Sequence, residues 1–150
     1  MNYKKHNEIR LDEQLCFALY RASQAVTASY RKHLADIGLT YTQFLVLLVL
    51  WESGDTNVGQ LSRRLGLDSG TLTPLLKRLE QREFITRNRS PEDERVVIIG
   101  LTESGLRLRE PVNNARMKVA SDTGLTLVEI KRLRSDLHRL SDRIEGARQE

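Results

Sequence analysis

The sequence has one cysteine, few aromatic residues and no long apolar run. Cys16 is the only cysteine among 150 residues, and aromatic residues make up 5% of the chain. A lone cysteine excludes a disulfide within the chain, and it favours a reducing compartment or a disulfide between two molecules. The longest apolar run, residues 44–51, is far too short to cross a bilayer, and the first ten residues lack the apolar stretch of a secretory signal. We therefore expect a cytoplasmic protein that does not contact a membrane.

Paired metal-ligand motifs are also missing from the sequence. The histidines His6, His33 and His138 are far apart and have no ligand-like spacing. The sequence thus predicts no metal and no other cofactor, and we expect the histidines at the surface.

The net positive charge of the chain is compatible with a nucleic-acid partner. The chain has a formal net charge of +4 and an isoelectric point near 9.5, which permits nucleic-acid binding without requiring it. A length of 150 residues suits one domain with one core, so residues 1–150 are expected to form a single domain.

Helical periodicity covers the first third of the chain. Apolar residues at helical spacing predict a continuous helix over about residues 11–35, and Gly38 fits its end. Thr40 with Gln43 forms a capping box that opens a second helix. That helix is apolar on nearly all sides, which predicts a central place in the core.

Two shorter helices and a change of period follow. Asn57 and Gly66 fit the ends of a short helix, and Asp68 is expected to cap the next one. Over residues 85–102, two β-branched runs flank a polar turn, which predicts a β-hairpin with a charged tip. We expect this turn to be centred on residues 90–91. Helix, tight turn, helix and two-stranded wing together predict a winged helix-turn-helix, here about residues 40–101.

Long helices flank this unit. After the hairpin a helix is expected with a kink at Pro111, and Thr126 with Glu129 opens the last helix. The outer helices, about residues 11–36 and 103–146, carry long apolar stripes. These stripes either pack against the core of the same chain or pack against a second copy of the chain. We favour dimerisation helices, because a chain this short cannot bury both stripes itself. The predicted fold is thus mainly α (α+β), a winged helix-turn-helix with flanking dimerisation helices in a homodimer.

The second helix of a helix-turn-helix enters the major groove with its N-terminal residues near the base edges. Small hydroxyl side chains allow close approach there, and basic residues further along the helix reach phosphates. Pro74 is unusual inside this helix, because proline removes a backbone hydrogen bond and its ring crowds the residue four positions earlier. That residue is Gly70, which has no side chain and relieves the crowding. The candidate DNA contacts on this helix are Asp68, Ser69, Gly70, Thr71, Thr73, Lys77 and Arg78.

Arginines of the hairpin form a second candidate DNA contact. An arginine at a wing tip fits a narrow minor groove, where the potential is most negative. An aspartate beside it can hold an arginine in place through a bidentate pair. A solvated hairpin of mixed charge is the alternative, but the preceding helix-turn-helix favours DNA. The candidate wing residues are Arg87, Arg89, Asp93 and Arg95, and the expected partner is double-stranded DNA with a palindromic operator.

The segment LDSGTLTPLLKRLEQREFITRNRSPEDERVVIIGLTESG resembles the recognition helix and wing of the MarR family of bacterial regulators. Together with LCFALY and LTYTQFLVLLVLWE, it is similar to the organic hydroperoxide sensor branch, OhrR, over about residues 11–145. The resemblance implies a two-fold dimer that is a repressor and not an enzyme. It also implies release of DNA when an organic hydroperoxide, the inducer, oxidises an N-terminal cysteine. Relatives of one type carry a second, resolving cysteine near the last helix. Ser121 and Asp122 occupy that stretch here, so the chain resembles the one-cysteine type.

The resemblance also assigns residues to redox sensing. Cys16 matches the reactive cysteine, and Tyr30 and Tyr41 match the tyrosines that hydrogen-bond its thiolate across the dimer interface in the family. The redox-sensing residues implied in this way are Cys16, Tyr20, Tyr30 and Tyr41.

The reaction of Cys16 with a peroxide requires the thiolate, so some group must stabilise the anion. Cys16 is expected more than one turn inside its helix, with no adjacent Lys or His and with Arg21 pointing elsewhere. The two tyrosine hydroxyls are the expected substitute. Oxidation gives a sulfenic acid, which forms a mixed disulfide with a small thiol or is oxidised further. Either product would crowd the site and shift the two recognition helices.

Other functions stay open at the level of sequence. A MarR-like repressor can be released by a small aromatic or phenolic ligand without redox chemistry. A one-cysteine thiol peroxidase needs an Arg or Thr in a dedicated motif, which does not surround Cys16. A lone cysteine on a helix is most often inert packing.

Overall fold

The computed structural model describes residues 9–148. Within this range the chain forms seven α-helices and a small three-stranded sheet. The helices are α1 Leu15–Leu34, α2 Tyr41–Ser53, α3 Val58–Leu65, α4 Ser69–Gln81, α5 Glu103–Arg107, α6 Arg109–Asp122 and α7 Leu127–Gly146; the strands are β1 Thr56–Asn57, β2 Ile85–Arg89 and β3 Val97–Leu101. The predicted mainly α winged helix-turn-helix with flanking helices is confirmed.

Side-chain caps open the helices where the sequence predicts them. Thr40 Oγ1 accepts a hydrogen bond from the Gln43 backbone N–H at 3.2 Å, and Gln43 Oε1 accepts from the Thr40 N–H at 3.0 Å. The same reciprocal pattern joins Thr126 to Glu129 at the start of α7. At α3, Asn57 forms a third capping box with Gln60, where the sequence predicts only a simple cap. These bonds satisfy backbone donors that the first turn of a helix leaves free.

The predicted start of the first helix, at about residue 11, is wrong. A short 3₁₀ turn covers Leu11–Glu13, Gln14 is extended, and α1 starts only at Leu15. The Gln14 backbone N–H donates to the Leu11 carbonyl at 3.1 Å, and its side chain donates to the Arg10 carbonyl at 3.0 Å. These local bonds close the turn before α1 begins, so Cys16 lies in the first turn of α1.

Two further expectations need correction. The helix after the hairpin is interrupted at Leu108, between α5 and α6, rather than at Pro111 itself. Proline has no N–H for the carbonyl four residues earlier, so its effect falls on the preceding turn. The hairpin loop spans residues 90–96 instead of centring on residues 90–91, because the Ser90 N–H donates to the Val96 carbonyl at 2.8 Å and closes the longer loop.

The sheet contains one strand that the sequence did not predict. The strand order is β1-β3-β2, and both pairings are antiparallel. β1 has two residues, with Thr56 opposite Ile99. In the β-hairpin, Ile85 lies opposite Leu101 and Arg89 opposite Val97. This short third strand anchors the base of the wing beside the start of α3.

The core lies around α2, as predicted. Phe44, Val46, Leu47 and Leu50 of α2 are buried. The helix α4 buries the face formed by Leu72, Leu75, Leu76 and Leu79 against this core. The opposite face of α4 is therefore held towards solvent.

The outer helices bury little of their apolar surface within one chain. No residue of α7 is buried, and Leu34 is the one buried residue of α1. Leu127 is 70% exposed and Leu133 is 49% exposed. Within residues 9–148 no single helix is both long and apolar enough to cross a bilayer, although helices 15–37 and 41–53, bent by 78°, pass that test as a pair.

Candidate functional site

The exposed face of α4 carries the predicted DNA-reading residues of this helix. They follow helical spacing between the buried leucines, so they point away from the core. The structure leaves Asp68, Ser69, Gly70, Thr71, Thr73, Lys77 and Arg78 exposed. Pro74 lies inside α4, which continues past it to Gln81.

The hydroxyl and carboxylate groups at the start of α4 already have partners. Asp68 Oδ1 accepts from the Thr71 backbone N–H at 2.7 Å, and the Thr71 hydroxyl donates to Asp68 Oδ2 at 3.2 Å. The bond from the Thr71 backbone is the largest cause that lowers the pKa of Asp68. The Thr73 hydroxyl donates to the Ser69 carbonyl at 2.8 Å. Asp68 is thus the confirmed N-cap, and its carboxylate orients the end of the helix that is predicted to enter DNA.

The candidate residues of the wing fall into two groups, those at the hairpin loop and Arg87, which faces α4. Arg89 Nη1 donates to the Glu94 carbonyl at 2.7 Å, and Asp93 Oδ1 accepts from the Arg95 backbone N–H at 3.0 Å. The side chain of Arg95 is exposed at the loop. Arg87 instead faces α4, with Nη1 3.4 Å from Glu80 Oε2 and only 20% of its side chain exposed.

The expected bidentate pair between Asp93 and an arginine is not among the ion pairs of residues 9–148. The Asp93 carboxylate shapes the loop through a backbone N–H, because that donor lies two residues ahead in an Asx turn. Arg87, Arg89, Asp93 and Arg95 all stay predictions as DNA contacts.

Cys16 is exposed on the first turn of α1. No side chain caps this helix end, since the N-cap Gln14 makes no capping bond. The first-turn N–H groups therefore favour a negative charge nearby. The expected position of Cys16 more than one turn inside the helix was wrong, because that prediction placed the start of the helix too early.

Tyr30 and Tyr41 lie together with Phe44 at the other end of α1. The centroids of the Tyr30 and Tyr41 rings are 5.3 Å apart, and Tyr30 stacks on Phe44 at 4.9 Å. Burial raises the pKa of Tyr30 and of Tyr41. Both phenols are thus neutral at pH 7 and have an O–H to donate.

Within one chain the tyrosine pair is far from Cys16. Fourteen residues of helix separate Cys16 from Tyr30, which corresponds to about 21 Å along the axis of α1. Tyr20 lies one turn from Cys16 and is 59% exposed, and its hydroxyl accepts from Gln24 Nε2 at 2.9 Å. Within one chain, the four predicted redox-sensing residues therefore form two separate pairs. Tyr30 contacts Tyr41, whereas Cys16 lies near Tyr20 at the other end of α1.

An apolar groove of about 570 Å³ runs between α1, α6 and α7 beside Tyr30. Its walls include Val26, Met117 and Leu133. Arg116 also lines the groove, and its positive charge near the Tyr30 hydroxyl opposes the rise in the pKa of Tyr30. No sequence pattern indicates a role for Arg116, because it lies 86 positions from Tyr30 and belongs to no motif.

In the stretch that corresponds to the family's resolving cysteine, Asp122 contacts two side chains of α1. Asp122 accepts from the Ser29 hydroxyl at 2.7 Å and lies 2.8 Å from His33 Nε2. The Ser29 bond is the largest cause that lowers the pKa of Asp122, followed by the bond with His33. His33 is half-buried by this contact, so its expected surface position was wrong, while His6 lies outside the described residues.

A second open cavity of about 820 Å³ lies between α2 and α5–α6, with Trp51, Arg107 and Glu110 in its walls. Trp51 Nε1 donates to the Gly105 carbonyl at 3.1 Å at this edge. Across residues 9–148, no three His, Cys, Asp or Glu side chains converge as metal ligands.

Comparison with known proteins assigns the chain to a family. The MarR family pattern matches residues 39–97. The organic hydroperoxide resistance transcriptional regulator of Bacillus subtilis (strain 168) is 43% identical over 136 residues, which cover 91% of this chain and 92% of that protein.

Two structures of AbfR, a protein of Staphylococcus epidermidis, are also similar. Reduced AbfR bound to DNA is 39% identical with a TM-score of 0.75, and overoxidised AbfR bound to DNA is 38% identical with a TM-score of 0.74; each match covers 90% of this chain and 94% of that chain. This chain therefore belongs to the MarR family of transcriptional regulators, within which it resembles the one-cysteine organic hydroperoxide regulators.

Proposed function

We propose that the protein is a homodimeric repressor that releases its operator when an organic hydroperoxide oxidises Cys16. The observation that carries this proposal is the separation of Cys16 from Tyr30 along the exposed face of α1. Each chain has a reactive half and a hydrogen-bonding half that do not meet, so the site is complete only between two copies.

The exposed apolar surface supports a two-fold dimer through α1 and α7. Two antiparallel copies of α1 that cross near their midpoint bring each Cys16 towards the Tyr30 and Tyr41 of the other copy. The midpoint lies near Ser23, and small or short side chains around it, such as Ala22, permit close approach. The exposed leucines of α7 extend the same apolar surface, which a stable monomer would otherwise leave in water.

The chemistry at Cys16 is a two-electron oxidation. The thiolate attacks the outer oxygen of the hydroperoxide, an S–O bond forms, the O–O bond breaks, and the alkoxide leaves as the alcohol after it gains a proton. Sulfur is oxidised to the sulfenic acid and the peroxide is reduced. A low-molecular-weight thiol then condenses with the sulfenic acid to give a mixed disulfide and water.

The mixed disulfide is the form that we expect to release DNA. It adds a bulky group between Cys16 and the tyrosines, while further oxidation adds only oxygen atoms. Overoxidised AbfR was solved bound to DNA, which favours the bulkier product as the releasing form. The dimer helices then separate, and the two α4 helices lose the spacing that two half-sites on one face of DNA require.

A binding titration tests this function. The reduced protein is titrated against labelled DNA from upstream of its own gene, and cumene hydroperoxide with a small thiol, hydrogen peroxide or salicylate is then added to separate samples. We expect release by cumene hydroperoxide at concentrations where hydrogen peroxide has little effect, because apolar residues flank Cys16. Release by salicylate alone, with no response to the hydroperoxide, would contradict the proposal and favour the ligand-released alternative.

A further inference from the structure

Arg116 lies on α6 beside Tyr30 of α1, in the wall of the groove described above. Its Nη1 donates to Asn113 Oδ1 at 3.2 Å, one turn earlier on the same helix. This bond occupies one nitrogen of the guanidinium and leaves its other N–H groups available to the Tyr30 hydroxyl, which lines the same groove. The charge of Arg116 therefore lies on the side of Tyr30 that faces α6.

A phenol oxygen accepts hydrogen bonds and donates a single one. When a guanidinium donates to that oxygen, the O–H must point to another acceptor, and the positive charge makes it a stronger donor. The acceptor that the proposed dimer offers is the thiolate of Cys16 from the other copy. Neither Lys nor His is adjacent to Cys16 in the sequence, and a cation behind the tyrosine supplies the missing positive charge.

We propose that Arg116 is a positioning residue for peroxide sensing, which acts through the hydroxyl of Tyr30 on the Cys16 of the partner subunit. The inference rests on the proposed function and adds to it the source of positive charge for the reacting sulfur. Arg116 does not touch the sulfur, since it lies behind Tyr30 and not between the two residues.

The test measures the rate at which cumene hydroperoxide oxidises Cys16, followed by the loss of free thiol, in the full-length reduced dimer. The variants are Arg116→Met, Arg116→Lys, Tyr30→Phe and the double variant with Arg116→Met and Tyr30→Phe. Lys118→Met is the matched control, because it removes an exposed cation from the same helix outside the groove. Operator affinity of each reduced variant shows that it is folded and dimeric.

We expect Arg116→Met to slow oxidation about tenfold, the scale of one lost charge-assisted hydrogen bond, and Lys118→Met to leave the rate unchanged. Arg116→Lys should recover most of the rate, and the double variant should be no slower than Tyr30→Phe alone. A wild-type rate in Arg116→Met, a Lys variant as slow as the Met variant, or multiplied effects in the double variant would each overturn the inference.

The same experiment separates the two proposals. If wild-type protein is not oxidised at Cys16, or keeps its DNA after a small thiol has formed the mixed disulfide, the proposed function fails. If wild-type protein responds while Arg116→Met behaves like it, only the role of Arg116 fails.

Discussion

Replacing Cys16 with serine leaves operator binding by the reduced protein unchanged and removes its release by organic hydroperoxide. Serine has nearly the same size, and Cys16 is exposed, so neither the fold nor the DNA-binding face is disturbed. A hydroxyl does not react with a peroxide as a thiolate does. In the wild type, oxidation should weaken operator binding by roughly 5- to 150-fold, the usual range of coupling between two sites. Fluorescence anisotropy on operator DNA, with and without cumene hydroperoxide and a small thiol, measures both states.

Ala18→Ser is the matched control for this prediction. It adds a hydroxyl to the same exposed part of α1 and should keep the full response. A Cys16→Ser protein that cumene hydroperoxide still releases would show that the sensing group lies elsewhere, for example at the exposed Met117.

Replacing Leu133 with glutamate should convert the protein to a monomer and remove most of its operator affinity. Leu133 is exposed on a helix with no buried residue, and in the proposed dimer the added charge would have to lose its water in an apolar contact. A monomer holds one half-site at a time, so affinity should fall by roughly 10²- to 10⁴-fold, the gain that two linked binding units normally give. Light scattering after size-exclusion chromatography and anisotropy on the operator measure the two effects.

Ser135→Glu provides the control for Leu133. It places the same charge on the exposed polar side of α7 and should leave both mass and affinity unchanged. The dimer interface would have to lie elsewhere if Leu133→Glu stayed dimeric and bound the operator as the wild type does.

The fold was predictable where local chemistry determines it. The caps at Thr40, Asp68 and Thr126 depend on side chains that bond backbone groups three residues away, so the sequence alone reveals them. The break at Gln14 was missed because apolar periodicity continues across it, while the extended backbone there depends on bonds to residues 10 and 11. The strand β1 was missed because two residues are too few to show a period.

The candidate site was predictable to a smaller degree. The outward face of α4 follows from the spacing of its buried leucines. The direction of Arg87 does not, because it depends on Glu80 of another element. Arg116 and Tyr30 meet only because α1 packs against α6, a tertiary contact that no local pattern encodes.

The most direct test of the central claim is a disulfide between Cys16 and position 30. In a Tyr30→Cys variant, the two cysteines of one chain are about 21 Å apart along α1, too far for a disulfide within the chain. Mild oxidation should give a covalent dimer in non-reducing electrophoresis, with peptide mapping that joins residue 16 of one copy to residue 30 of the other. Lys32→Cys, two residues further on the exposed side of α1, should not give it. Monomeric chains in the Tyr30→Cys sample, or equal cross-linking in both variants, would contradict a site shared between two copies.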